Sequence, residues 1–145
     1  MPHTLRKGKM ETTKLYSIAE DSGIAVSFLA IPICRGIALE TENGYHIALD
    51  SSGELSSSEE KVLLAHELGH CMSGGLYTPD CDSIIRLRNE KKAELWAIET
   101  LVPLSELRAA IKQGDEAVSC LAERFGVTED FMQRVIKYYC ETKTA

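Results

Sequence analysis

The sequence predicts an α+β fold: a small three-stranded sheet, one helix that carries the chemistry, and additional helices towards the C-terminus. Three observations predict it. Strand-like runs are confined to the stretch before residue 51, a serine-rich loop closes that stretch, and the rest shows helical periodicity broken by Gly and Pro. With 145 residues, 44% of them apolar, residues 1–145 read as one domain whose core needs neither disulfides nor a structural metal.

Residues 1–12 are polar and are expected to be flexible. Leu15, Ile18 and Ala19 recur at helical spacing and predict a helix from Thr13 to about Ser22, with Gly23 in the position that ends it. Ile24 to Leu29, Gly36 to Glu40 and Tyr45 to Asp50 predict the strands. Asn43-Gly44 signals a tight hairpin between the last two, and Pro32 falls in the first connection, where a missing N–H costs little. Residues 51–58, with five serines and a glycine, read as a loop. Ser57 with Glu60 fits a capping box and predicts a helix from about Ser58 to Ser73. Val62, Leu63, Leu64, Ala65, Leu68 and Met72 make that helix apolar and therefore buried, and Gly74-Gly75 end it. Residues 76–88, with Pro79, Asp80 and Asp82, read as irregular. A second strong helix is expected from near Asn89 to about Val102, bounded by Pro103 and Ser105. Two or three amphipathic helices fill the C-terminal part, 105–140, with Gly114 and Gly126 as punctuation and Thr128 as N-cap of the last.

The net charge of -6 argues against a nucleic-acid surface, which needs a basic face to neutralise phosphates. Five cysteines, an odd number with no C-x-x-C spacing, suit reduced thiols in the cytoplasm. No apolar run reaches the ~18–20 residues of a membrane span, and Arg6, Lys7 and Lys9 are not followed by the apolar stretch of a secretory signal.

His66-Glu67-Leu68-Gly69-His70 reads H-E-x-x-H on the buried helix. Residues four apart share one face, so both imidazoles reach a single ion. Imidazole nitrogen suits Zn²⁺, and catalytic zinc usually takes three protein ligands and leaves one position for a water whose pKa falls to roughly 7. Glu67 stands beside the ligands without being one, the place of a general base. A chance pair of histidines on an apolar helix would leave buried polar groups without partners.

Three carboxylates compete to be the third ligand. Glu90 is the first candidate; Glu94, one turn on, and the more distant Glu99 are the rivals, followed by Cys71, Cys81 and Asp82. If Glu90 binds the ion, Glu94 is free to accept a hydrogen bond from the other ring nitrogen of a ligating histidine. The plain alternative for Glu90 is a solvated acid at a helix start.

His66 to His70, followed by Asn89-Glu90 and Ala93-Glu94, resembles the thermolysin-like gluzincin pattern. More closely, Leu64-Ala65-His66-Glu67-Leu68-Gly69-His70, Ala93-Glu94-Leu95-Trp96-Ala97, Thr100-Leu101-Val102-Pro103 and Leu121 to Glu129 resemble the ImmA/IrrE family of metallopeptidases. The resemblance implies a minimal zincin-like fold, a zinc endopeptidase activity, and a substrate strand added to the sheet edge. It also implies a protein substrate: a helix-turn-helix repressor encoded by a phage or mobile element. Glu94 departs from the family's usual Asp or Asn at that position, so a longer side chain must reach the histidine.

Tyr77, after the motif helix, is a candidate to stabilise an oxyanion, against the plainer reading of a packed or surface tyrosine. His46 reads as an ordinary strand histidine, His3 as part of the flexible start, Trp96 as core and Cys71 as a small buried apolar residue. The segment from Cys120 to Tyr139 has helix-turn-helix spacing, but Glu129 and Asp130 at the start of its second helix would repel phosphates. A DNA-binding regulator, and a regulatory module that binds metal without cutting, are therefore the rival functions.

Overall fold

The computed structural model describes residues 9–74, 76 and 82–143. Its elements run α1 (Thr12–Asp21), β1 (Ala25–Leu29), β2 (Gly36–Thr41), β3 (Gly44–Asp50), α2 (Ser57–Met72), α3 (Ser83–Leu101), α4 (Leu104–Lys112), α5 (Val118–Phe125) and α6 (Glu129–Lys143). The fold is α+β, as expected. The three-stranded sheet has the order β1-β3-β2, with β1 parallel and β2 antiparallel to the central β3. The register sets Val26, Ile47 and Ala38 side by side on the face turned to the helices, where Ile47 and Leu49 are fully buried. β2 pairs with β3 alone, so its outer edge carries no strand among the described residues.

α2 runs across the core. It buries residues on most of its circumference, among them Leu64, Ala65 and Leu68, and so shows little one-sided amphipathicity. Its longest partner is α3, which contributes Ala93, Ala97, Ile98 and Leu101 to the interior. α5 and α6 close the far side with Phe125, Phe131, Met132 and Val135, all fully buried. Tyr139 of α6 donates its hydroxyl to the Val102 carbonyl at 2.8 Å. Thr128 accepts from the Phe131 N–H at 3.2 Å, the N-cap expected for α6.

Three local expectations need correction. The capping box of α2 is Ser56 with Glu59, not Ser57 with Glu60: Glu59 N donates to Ser56 Oγ at 3.1 Å and Ser56 N to Glu59 Oε1 at 3.4 Å. Glu60 is taken by a tertiary bond instead, accepting the Tyr16 hydroxyl at 2.9 Å. The hairpin lies where Asn43-Gly44 signals it, but its two-residue loop is Glu42-Asn43, and Gly44 begins β3 with a φ of +108° that only glycine takes readily. α3 starts at Ser83 rather than near Asn89, because the Asp82 carboxylate caps it by accepting from Ile84 N at 2.9 Å. Its first turns had no readable face, since Ile84, Ile85 and Leu87 are exposed.

Candidate metal centre

α2 carries His66 and His70 one turn apart, and α3 carries Glu90 and Glu94 one turn apart beside them. Between the pairs, Gly69 and Ala93 bring the two backbones together. A Cβ built on Gly69 would run into the carbonyl oxygen of Ala93. The glycine inside the H-E-x-x-H run is therefore what lets α3 approach.

Glu90 answers both imidazoles. Its Oε2 lies 2.9 Å from His66 Nε2 and its Oε1 3.0 Å from His70 Nε2. The two rings meet edge to face, with centroids 4.9 Å apart. One donor atom from each of His66, His70 and Glu90 can be chosen so that all three lie within 4.8 Å of one another. Two imidazole nitrogens and a carboxylate oxygen converging on one volume are the donor set that Zn²⁺ takes in open sites, so these residues fit that ion.

Around this group the electrostatics are tuned by burial and by close charges. Glu67 is 6% exposed. Burial lifts its carboxyl above the usual range, Glu90 adds to that, and the two imidazoles oppose it. Burial would discourage a charged His66, but the bond to Glu94 and the charges of Glu67, Glu90 and Glu94 outweigh it and raise its pKa. Glu94 stands with Oε2 3.4 Å from His66 Nδ1 and Oε1 2.7 Å from Arg134 Nε. Burial acts against its charged form, yet the bonds from His66 and Arg134 prevail and lower its pKa.

A cleft of about 340 Å³ opens on the side of Glu67 and His70, bordered by the 36–39 stretch of β2 and by Arg86 and Glu90. Gly36 lets the strand lie this close. A Cβ there would sit 3.3 Å from Glu67 Cγ and 3.2 Å from Leu63 Cδ1. A second cavity, about 250 Å³, lies on the other side of His66, with Val62, Leu63, Glu94 and Arg134 among its walls.

The structure thus brings His66, Glu67, His70, Glu90 and Glu94 together and leaves the other candidates elsewhere. Glu99 accepts the Tyr138 hydroxyl at 3.1 Å, away from the histidines. Asp82 is occupied as the cap of α3. Cys71 is buried, its thiol pushed up to about 11 chiefly by that burial. His46 pairs with Ser27 Oγ at 2.9 Å across the sheet, and Trp96 packs against the core. Tyr77, Cys81 and His3 lie outside the described residues. Sequence reading passed over Gly36, Arg86 and Arg134. A glycine at the start of a strand, where it often marks a close approach, is a weak signal for the first; nothing local points to the other two.

A sheet of mixed strands laid against an H-E-x-x-H helix, with a carboxylate from the next helix, defines the class of small zincin-like peptidase folds. Residues 19–137 match the IrrE N-terminal-like domain of the peptidases that carry it, and the chain belongs to that family. Among solved structures it is similar to a Mycobacterium tuberculosis transcriptional regulator, with a TM-score of 0.64 and 17% identity over 83% of this chain. The match spans 39% of that longer chain, and at this identity the likeness is one of fold. No curated protein sequence matches at a significant level. Among the described residues, no helix is long and apolar enough to cross a membrane.

Proposed function

We propose that this member of a peptidase family is a zinc-dependent endopeptidase that works as one domain, with His66, His70 and Glu90 as ligands and Glu67 as general base. The observation that carries the reading is the convergence of both Nε2 atoms on the Glu90 carboxylate beside a buried Glu67. Zinc bound there would supply a Lewis acid for the scissile carbonyl and acidify the attacking water. Glu67, buried beside these ligands, would be placed to accept a proton from an attacking water and pass it to the leaving amine. Glu94 faces His66 Nδ1 at 3.4 Å, which favours a proton on that nitrogen and would leave Nε2 for the ion.

The outer edge of β2 gives an extended substrate a row of backbone donors and acceptors beside Glu67, so a peptide would enter as an added strand. The substrate is a protein. The family resemblance points to a helix-turn-helix repressor of a phage or mobile element, and the cytoplasm is where such a repressor is met.

Glu67→Gln tests the mechanism, since it keeps shape and hydrogen-bonding reach but cannot accept a proton. It should bind zinc and substrate like the parent while cleavage of a repressor encoded beside this gene falls by at least ~100-fold. Cleavage at the parent rate by the zinc-loaded variant would refute the role of Glu67. Tight binding of that partner by both proteins with cleavage by neither would make the chain a metal-binding interaction module.

A further inference from the structure

We propose that Arg134, on the C-terminal helix α6, is a positioning residue for the metal centre, acting through Glu94 on His66. The inference rests on His66 being a ligand.

Arg134 Nε donates to Glu94 Oε1 at 2.7 Å, across a sequence separation of 40 residues. The other oxygen of the same carboxylate faces His66 Nδ1 at 3.4 Å, and the far nitrogen of that ring faces Glu90 at 2.9 Å. A continuous row therefore runs Arg134, Glu94, His66, Glu90. It joins the C-terminal helices, which hold no candidate ligand, to the ring on which the site depends.

Glu94 needs such a tether. A glutamate has three side-chain torsions, and the 3.4 Å approach to His66 is too long to fix them alone. The short, charge-assisted bond from Arg134 holds the opposite oxygen and so sets the plane of the carboxylate. Arg134 is itself well founded. Its guanidinium stacks over the Phe131 ring, 5.5 Å from the centroid, and Phe131, Met132 and Val135 root that part of α6 in the core without exposure.

An ordinary surface ion pair would contribute little, and the Arg134 side chain is 51% exposed. Two features separate this pair from that case. Glu94 is 24% exposed rather than solvated, and its second oxygen is directed at a ligand ring. Arg134 also stands with His66 and Glu94 in the wall of the smaller cavity, where the C-terminal helices meet the site.

The test is zinc affinity, measured by competition with a chromophoric chelator, together with the visible spectrum of the cobalt(II)-loaded protein. Glu94→Gln should weaken zinc binding about 10- to 100-fold, the usual cost of losing a partner of a ligating histidine. Arg134→Met should weaken it roughly 10-fold, the low end of that range, and shift the cobalt bands. Arg134→Lys, which restores a cation, should recover part of the loss. Adding Arg134→Met to Glu94→Gln should cost nothing further, because the path through Glu94 is already cut. If Arg134→Met melts early, Arg134→Gln, which keeps a donor, must still bind zinc less tightly than the parent. Parent-like affinity in the folded Arg134 variants overturns the inference, as does an undiminished loss in the Glu94→Gln background. A parent protein that binds no zinc would instead remove the metal-centre reading, and this inference with it.

Discussion

Gly69 of α2 and Ala93 of α3 touch backbone to backbone: a Cβ on Gly69 would lie 2.9 Å from Ala93 Cα and closer still to its carbonyl oxygen. Gly69 sits between the site histidines in sequence and Ala93 between the two glutamates. The contact that sets the spacing of the helices therefore also sets the distance between the two halves of the site.

Gly69→Ala should accordingly harm both stability and metal binding. Alanine gains about 1 kcal/mol of helix propensity over glycine. Overpacking costs about 1–3 kcal/mol and more where nothing can move, and the obstacle here is backbone, which cannot rotate aside. The net effect expected in urea unfolding is a loss of stability, and chelator competition should show weaker zinc binding as Glu90 is pushed from the histidines. A midpoint equal to or above the parent's would show that the helices separate freely.

Lys61 gives a prediction about pH. It is 2% exposed, and its Nζ donates to the Phe125 carbonyl at 2.7 Å, tying α2 to the end of α5. Burial, helped by Lys9, lowers its pKa to about 8. An unfolded lysine titrates near ~10.4. Between those values the unfolded chain holds more of this proton than the folded chain does, so this group makes stability rise with pH. The penalty is fully present below pH 8 and is relieved towards pH 10. Cys71, pushed up to about 11, works in the opposite direction over part of that range. The quantity to measure is thus the stability of the parent minus that of Lys61→Met, by urea unfolding at several pH values. It should climb from pH 8 towards 10, and a flat difference would mean that Lys61 is charged in the folded protein throughout.

The parts of the fold that could be read from the sequence are those fixed by local chemistry. The hairpin followed from Asn43-Gly44, the N-cap of α6 from Thr128, and the path of α2 from its apolar run. His66, Glu67 and His70 were legible because helical spacing alone puts the histidines on one face. What was not legible was decided by partners far away in sequence. The run Ser56-Ser57-Ser58-Glu59-Glu60 allows two capping registers, and the bond from Tyr16 to Glu60 occupies the glutamate of the one that was expected. The start of α3 was hidden because its first turns expose Ile84 and Leu87, so no apolar stripe marks them. Arg134 offered no signal, since only the packing of α6 brings it to Glu94.

The C-terminal helices invite a DNA-binding test. α5 and α6 pack as a pair, but α6 opens on Glu129 and Asp130, where a recognition helix would meet the duplex. Arg134, further along, is paired with Glu94. With a net charge of -6 for the chain, duplex DNA at moderate ionic strength should not be bound. A tight complex whose affinity falls steeply with added salt would restore the helix-turn-helix reading.

The choice of third ligand can be settled by metal content. Glu90 offers one oxygen to each imidazole, at 2.9 and 3.0 Å, on the side where both Nε2 atoms point. Glu94 faces the opposite nitrogen of His66 and is held by Arg134. Replacing a ligand should therefore differ in kind from replacing the group behind it. His66→Ala, His70→Ala and Glu90→Ala should each lose most of about one zinc per chain, whereas Glu94→Ala should retain zinc with an affinity lowered about 10- to 100-fold. All four should keep the far-ultraviolet circular dichroism of the parent, because the buried residues of α2, α3 and β3 form the core without the site. Zinc retained in Glu90→Ala but lost in Glu94→Ala would exchange the two assignments and turn His66 to ligate through Nδ1.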